Sequence, residues 1–229
     1  MLEPPLLAYV GVGSQVIPPL AALATRTRDR ARIGIAGWCL FLFSSDMLTR
    51  WWALHFGNTH LINYIADPMA MTWLLWVLVL WQVRPIAALT IRLLVPLALV
   101  ANLILVAHVE DPAYFSLTVS TLNGLLVLSV VLFTLISRSL QERVLLTQFD
   151  WFWVGSGLVI NQTAEMAIGP LARLATSVSL ETLAALWTTK RVVNAIAMLI
   201  ISRGLLCPTQ PLLSGGSSSP PSSRPLSSW

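Results

Sequence analysis

Seven runs of about 20 mainly apolar residues make up most of the 229-residue chain, and they constrain its fold more than any other feature. As an α-helix, each run is long enough to cross about 30 Å of hydrocarbon. The sequence therefore predicts an all-α, polytopic membrane protein with seven transmembrane helices. The runs are Leu6–Ala24, Ile33–Leu54, Leu61–Trp81, Ile86–Ala107, Phe115–Ser137, Phe152–Leu171 and Leu183–Leu205.

Composition agrees with this class, because 56% hydrophobic and 10% charged residues do not provide a water-soluble surface. We expect residues 1–207 to form one transmembrane domain. Residues 208–229 are rich in Ser, Pro and Gly and are expected to form a disordered cytoplasmic tail. The net charge of +4 lies in short loops between apolar runs, so the expected partner is membrane lipid and not nucleic acid.

The distribution of Lys and Arg predicts the orientation, since cytoplasmic loops retain positive charge. One set of loops and helix ends is basic; it carries Arg26, Arg28, Arg30, Arg32, Arg84, Arg92, Arg138, Arg143 and Arg203. The opposite loops hold residues 55–60, the acidic pair Glu110 and Asp111, and Arg173 alone as a basic residue. We therefore expect a multi-pass protein of the cell membrane with its N-terminus outside and its C-terminus in the cytoplasm.

Several ionisable residues fall inside the apolar runs, where each one needs a partner, a cavity or a function. At 1.5 Å per residue from the outer ends, Asp46 lies about 12 Å deep and Arg50 about 6 Å deep. Asp67 and Glu165 lie about 9 Å deep, and Lys190 and Arg191 about 11 Å deep. Their common depth predicts a polar outer half and an apolar inner half with a basic rim.

Two interpretations explain why these ionisable residues lie in one layer of the outer half. The first is a pocket open to the outside, with Asp46, Arg50, Asp67, Glu165, Trp187 and Lys190 as ligand-binding residues and Trp51, Trp52 and Trp73 as further walls. The second is a pair of buried ion pairs, Asp46 with Arg50 and Glu165 with Lys190, that only fix helix packing. The first is favoured because ion pairs do not explain the confinement of charge to one layer.

Few features indicate a metal or a cofactor. His55, His60, Glu110 and Asp111 lie close in height at the outer helix ends and could form a metal site or a pH sensor. Histidines at a membrane surface are more often solvated, so we expect neither metal nor cofactor.

Short motifs in the later two-thirds of the chain resemble a family of uncharacterised bacterial seven-helix membrane proteins. They are Asn63-Tyr64, Phe152-Trp153, Ser156-Gly157, Leu186-Trp187 and Val193-Asn194. That family resembles the membrane regions of sensor kinases. The resemblance implies a receptor-like protein that binds a small or lipid-like ligand from outside and signals through a cytoplasmic partner.

Two alternatives remain open. The size and layout are similar to the integral-membrane terpene cyclases of meroterpenoid pathways, which implies acid-initiated cyclisation with Asp46 as a catalytic residue. Those enzymes use a second acid in helix seven, where this chain has Lys190, so Glu165 would have to substitute. A small-solute transporter is the third reading, because mid-helix prolines accompany paired charges.

Overall fold

In the computed structural model, the described residues are 5–26, 29–57, 59–110, 118–141, 145–175 and 180–207. Within these ranges the chain forms eight α-helices and a short 3₁₀ turn at 146–148. The helices are α1 (Pro5–Ser14), α2 (Ile17–Ala24), α3 (Arg30–Phe56), α4 (His60–Leu80), α5 (Pro85–His108), α6 (Thr118–Ser139), α7 (Asp150–Ala175) and α8 (Leu180–Leu206). The predicted tail, 208–229, lies outside the described residues.

The all-α prediction is confirmed for the described residues, which contain no strand. Five helices are long and apolar enough to cross a membrane: α3, α4, α5, α6 and the Ala184–Leu206 part of α8. Helix α7 has 26 residues but is not one of these five. Its middle carries Asn161, Gln162 and Glu165, which lower its mean hydropathy.

The outer surface of the bundle is apolar. Helix α5 exposes Ile86, Leu93, Leu97 and Leu103 along its length. A continuous apolar surface of this kind is unfavourable in water and favourable in lipid. The exposed side chains therefore agree with a membrane protein.

The predicted first span, Leu6–Ala24, is interrupted by a turn at Gln15 and Val16 that separates α1 from α2. Pro18 and Pro19 lie in the first turn of α2. Neither has a backbone N–H, and a proline ring in a helix clashes with the carbonyl four residues before it. The predicted first span therefore consists of two short helices of 10 and 8 residues.

Helix α3 has well-defined ends that fix its pairing with α4. The Asp29 side chain accepts a hydrogen bond from the Ala31 N–H (3.1 Å), which caps the first turn. Gly57 follows the last turn with φ of +80°, a conformation that side chains disfavour. The chain reverses there, and α4 runs back along α3 from His60.

Helices α7 and α8 pack closely because glycine lies at two contact points. A Cβ on Gly157 would lie 2.8 Å from the Ala197 carbonyl oxygen, and one on Gly204 would lie 2.9 Å from that of Asp150. Small residues allow helix backbones to approach at this distance. The two helices therefore contact each other along much of their length.

The apolar core occupies one half of the bundle, where α3 and α7 begin and α4 and α8 end. Its largest fully buried apolar side chains include Ile35, Trp38, Leu74, Leu75, Leu78, Leu158, Ile201 and Leu205. The other half, toward the end of α3 and the start of α4, holds a cavity.

Candidate ligand-binding cavity

A cavity of about 420 Å³ lies among α3, α4, α6, α7 and α8, beside the turn between α1 and α2. It extends from Thr59 and His60, at the start of α4, to Leu74 and Trp38 at the edge of the apolar core. Leu74 is fourteen residues into α4, so the cavity reaches about 21 Å along that helix. This volume suits a small molecule, since ligand pockets commonly measure about 300 to 1,000 Å³.

One face of α8 supplies much of the charge. Trp187, Lys190, Arg191 and Asn194 follow the spacing of residues that share a helix face, and all four line the cavity. Lys190 Nζ lies 2.5 Å from Glu165 Oε2 and 5.0 Å from the centre of the Trp187 ring. Asn194 donates to Glu165 Oε1 (3.1 Å). Glu165 is therefore neutralised and hydrogen-bonded by α8.

A second ion pair joins α3 to α8. Asp46 Oδ2 lies 3.8 Å from Arg191 Nη1 and accepts a hydrogen bond from Gln15 Nε2 (2.9 Å). Gln15 lies in the turn between α1 and α2 and lines the cavity. Asp46 therefore pairs with Arg191 on α8 and also accepts a hydrogen bond from the neutral side chain of Gln15.

The third carboxylate, Asp67 on α4, has a different environment. Ser120 lines the cavity beside it, and the carboxylate interacts electrostatically with Glu165, Lys190 and Asp46. In the described part of the chain, the ion pairs engage Glu165 and Asp46 but not Asp67. Two of its three charged neighbours are carboxylates, and the third, Lys190, is already paired.

Polar amides complete the lining, and several of their atoms lack a hydrogen-bond partner. Across the described ranges, the buried atoms without one include Gln15 Oε1, Asn123 Nδ2, Asn161 Oδ1 and Asn194 Oδ1. Asn123 uses its carbonyl to accept from Asn102 (2.8 Å), which fixes its orientation. Buried polar atoms without partners are costly, so these groups are available to a bound molecule.

The structure brings five of the six predicted ligand-binding residues to this cavity: Asp46, Asp67, Glu165, Trp187 and Lys190. Arg50 is not among its lining residues; its guanidinium lies 5.6 Å from the centre of the Tyr9 ring. The predicted second ion pair, Glu165 with Lys190, is observed.

Sequence reasoning missed Arg191, Gln15, Asn123, Asn161 and Asn194 as lining residues. A signal was present for Asn161 and Asn194, which lie four residues from Glu165 and Lys190 and so share their helix faces. Gln15 had no such signal, because its position depends on the helix interruption.

The predicted aromatic walls need correction. The aromatic lining residues are Trp38, Phe41 and Trp187. Trp51 and Trp52 instead stack with His55 and Phe56 near the end of α3. Trp73 is also absent from the lining. Its indole N–H donates to the Gly34 carbonyl (3.0 Å) and so joins α4 to α3.

The prediction of an apolar inner half with a basic rim is also wrong in one respect. Arg32 is only 2% exposed, and its Nε lies 2.8 Å from Asp150 Oδ2. Its Nη1 donates to the Cys207 carbonyl (2.7 Å). Arg32 therefore joins the start of α3, the start of α7 and the end of α8 inside the bundle.

Glu110 has a structural role in the loop after α5. Its carboxylate accepts from the backbone N–H groups of Thr118 and Val119, the latter at 3.3 Å, and so caps α6. Partial burial opposes ionisation, but these hydrogen bonds and one from Tyr64 outweigh it and lower the pKa of Glu110. The neighbouring Asp111 lies outside the described residues.

Comparisons with models of protein families, with curated proteins and with solved structures found no match to this chain. The candidate site therefore depends on its own geometry and chemistry.

Proposed function

We propose that this chain crosses a cell membrane seven times and is a receptor-like protein that binds a small polar ligand in the cavity. The N-terminus lies outside, the C-terminus lies in the cytoplasm, and the cavity lies in the outer half. A cytoplasmic partner protein receives the signal. The assignment follows the resemblance of the sequence motifs to a family of seven-helix membrane proteins that is similar to the membrane regions of sensor kinases.

The seven crossings count α1 and α2 together as one discontinuous span and include α7, in addition to the five long apolar helices. Interrupted helices are tolerated at membrane depth where they line a cavity, as at Gln15. Arg30, Arg84, Arg138 and Arg203 lie at helix ends on the same end of the bundle. Retention of positive charge in the cytoplasm favours that end as the inner one.

The main support for a ligand-binding function is the cavity. Ion pairs that only fixed helix packing would be surrounded by close-packed side chains, because voids forfeit dispersion contacts. Here both pairs border a space of about 420 Å³ that also contains partnerless amide atoms. A polar ligand that filled this space would restore both the contacts and the hydrogen bonds.

The test is a screen of small polar solutes against the purified full chain in lipid nanodiscs, read out as the shift in thermal unfolding temperature. Ala70, on α4, lines the cavity, so Ala70→Leu reduces its volume without removing charge. Ala53, on α3, is exposed, and Ala53→Leu is the matched control. We expect stabilising compounds to lose their effect in the Ala70 variant alone. Absence of any stabilising compound, or an equal effect in both variants, would reject the proposal.

A small-solute transporter is the second candidate, and the interruption at Gln15 favours it. Transporters often bind substrates at discontinuous helices near the membrane midplane. The discriminating measurement is uptake of the stabilising compound into proteoliposomes. Accumulation inside the vesicles would replace the receptor assignment with a transporter.

A terpene cyclase is favoured less. It needs a protonated carboxylic acid facing a dry apolar cavity. Asp46 and Glu165 instead pair with Arg191 and Lys190, and their cavity is lined with amides. Turnover of prenylated substrates by the purified protein, abolished by Asp46→Asn, would overturn this ranking.

A further inference from the structure

The lining holds three carboxylates, one lysine, one arginine and His60, so its carboxylates outnumber its lysine and arginine by one. Glu165 pairs with Lys190 and Asp46 pairs with Arg191, so four of the charged groups cancel. Asp67 has no ion pair among the described residues, and the neutral Ser120 lies beside it. When ionised, this carboxylate adds one negative charge to a cavity between membrane-spanning helices, where an uncompensated charge is expensive.

The partnerless polar atoms of the lining include both donors and acceptors. The donors include Trp38 Nε1, Asn123 Nδ2 and Arg191 Nε, and the acceptors include three amide oxygens: Gln15 Oε1, Asn161 Oδ1 and Asn194 Oδ1. The three side chains that supply the acceptors are only 6%, 3% and 8% exposed. Their oxygens receive no hydrogen bond from the described residues and can accept from the N–H groups of a ligand.

The aromatic walls suit a cation that has an organic body. Trp38, Phe41 and Trp187 border the cavity, and the face of Trp187 already attracts the Lys190 ammonium. A single inorganic ion would leave most of the 420 Å³ unfilled and these walls uncovered.

From these three observations we infer that the ligand is a small organic cation bearing N–H groups, a primary ammonium or guanidinium compound. Its cationic group pairs with Asp67, its N–H groups donate to the amide oxygens, and its apolar part contacts the aromatic walls. This inference rests on the proposed ligand-binding function and specifies the chemical class of the ligand.

The test uses matched ligands of equal size and different charge. Two sets are titrated into the purified full chain in nanodiscs: isobutylammonium, isobutanol and isobutyrate, and benzylammonium, benzyl alcohol and benzoate. Binding is followed by tryptophan fluorescence. We expect the ammonium member of each set to bind about tenfold or more tightly than its neutral and anionic counterparts, because it adds a charge-assisted hydrogen bond. Benzyltrimethylammonium, which has no N–H, is expected to bind more weakly than benzylammonium.

Asp67→Asn is expected to reduce the preference for ammonium over alcohol to less than about threefold, because only a neutral acceptor remains. Glu181→Gln makes the same chemical change at an exposed position in the first turn of α8 and should leave the preference unchanged. Asn161→Leu provides a second variant if the first does not fold, and we expect it to weaken ammonium binding at least about threefold.

The outcomes separate this inference from the proposed function. Equal or tighter binding of the alcohols or carboxylates overturns the cation assignment and leaves a ligand-binding cavity. A preference for ammonium that persists in Asp67→Asn overturns the role of Asp67, and unchanged ammonium binding in Asn161→Leu overturns that of the amides. Stabilisation by NaCl or KCl, in excess of that by choline chloride at the same ionic strength, assigns the site to an inorganic ion and overturns the inference. If no member of either set binds and the solute screen is also empty, the proposed function fails with it.

Discussion

At the scale of single residues, Arg32 shows that the role of a charged side chain depends on its environment. In the sequence it is the last of four arginines in a basic loop, whereas in the structure it is buried and paired with Asp150. Its neighbour Arg30 is exposed. Two arginines two positions apart on α3 therefore have different roles, one in the bundle and one at its surface.

Arg32→Met is predicted to destabilise the protein by about 3 to 5 kcal/mol, because it leaves Asp150 without its buried partner. Arg32→Met combined with Asp150→Asn should recover most of this loss, since no unpaired charge remains. Thermal unfolding in nanodiscs measures both changes, and Arg30→Met is the control, expected to have little effect. A loss in the double variant as large as in the single variant would show that the pair is not the source of the stability.

At the scale of helices, the most consequential feature is the interruption between α1 and α2. Pro18 and Pro19 prevent a continuous helix, and the resulting turn brings Gln15 to Asp46. Local backbone chemistry thus places a polar side chain at the cavity.

Helix packing gives a second prediction at this scale. Gly157→Ala is predicted to destabilise the protein by about 2 kcal/mol or more, because its Cβ would meet the Ala197 carbonyl and force α7 and α8 apart. Gly13→Ala on α1 is the matched control: a Cβ there has no atom within 4 Å. It should be neutral or slightly stabilising, since Ala favours helix. Equal effects of the two changes on unfolding temperature would contradict close packing at Gly157.

The cap of α6 gives a prediction of pH dependence. Glu110→Gln should destabilise the protein by about 1 kcal/mol at neutral pH through loss of a charged cap. The pKa of Glu110 is lowered in the folded state, so its stabilisation is complete above the ordinary pKa of glutamate and is lost as the pH falls through the folded-state value. The difference in unfolding temperature between wild type and variant should therefore shrink on acidification. A difference that stays constant into the acid range would exclude this role, and Glu181→Gln controls for exposed glutamates.

At the scale of the whole molecule, the two halves of the bundle differ. One half is a packed apolar core with the Arg32–Asp150 pair at its end, and the other contains the charged cavity. A close-packed half and a cavity-bearing half are a reasonable division for a receptor, because ligand binding needs space and transmitted motion needs rigid helices.

The proposed topology predicts opposite accessibility for two exposed positions. Val109 follows α5 at the cavity end, and Leu140 follows α6 at the other end. In a Cys207→Ser background, an impermeant thiol reagent added outside intact cells should label Val109→Cys and not Leu140→Cys. Cys39 is fully buried and should not react. Labelling of Leu140→Cys alone would invert the orientation, and labelling of both would contradict a crossing of the membrane by α6.

The class of fold could be predicted from the sequence, because hydropathy over about 20 residues is a local property that decides whether a helix is stable in lipid. The sequence also identified the helices that carry charge and placed Asp46, Arg50, Asp67, Glu165 and Lys190 in one layer, of which only Arg50 is absent from the cavity lining. The interruption at Pro18 and Pro19 was present in the sequence as well, but average hydropathy does not detect a missing backbone donor.

Which charges pair depends on how the helices pack. Asp46 forms an ion pair with Arg191, far away in the chain, because the rotation of α8 about its axis depends on close packing against α7. The same packing buries Arg32, leaves amide atoms without partners around the cavity, and leaves Asp67 outside the observed ion pairs of the described residues. Depth in the membrane can be counted along a helix, whereas the direction of a side chain depends on every helix that surrounds it.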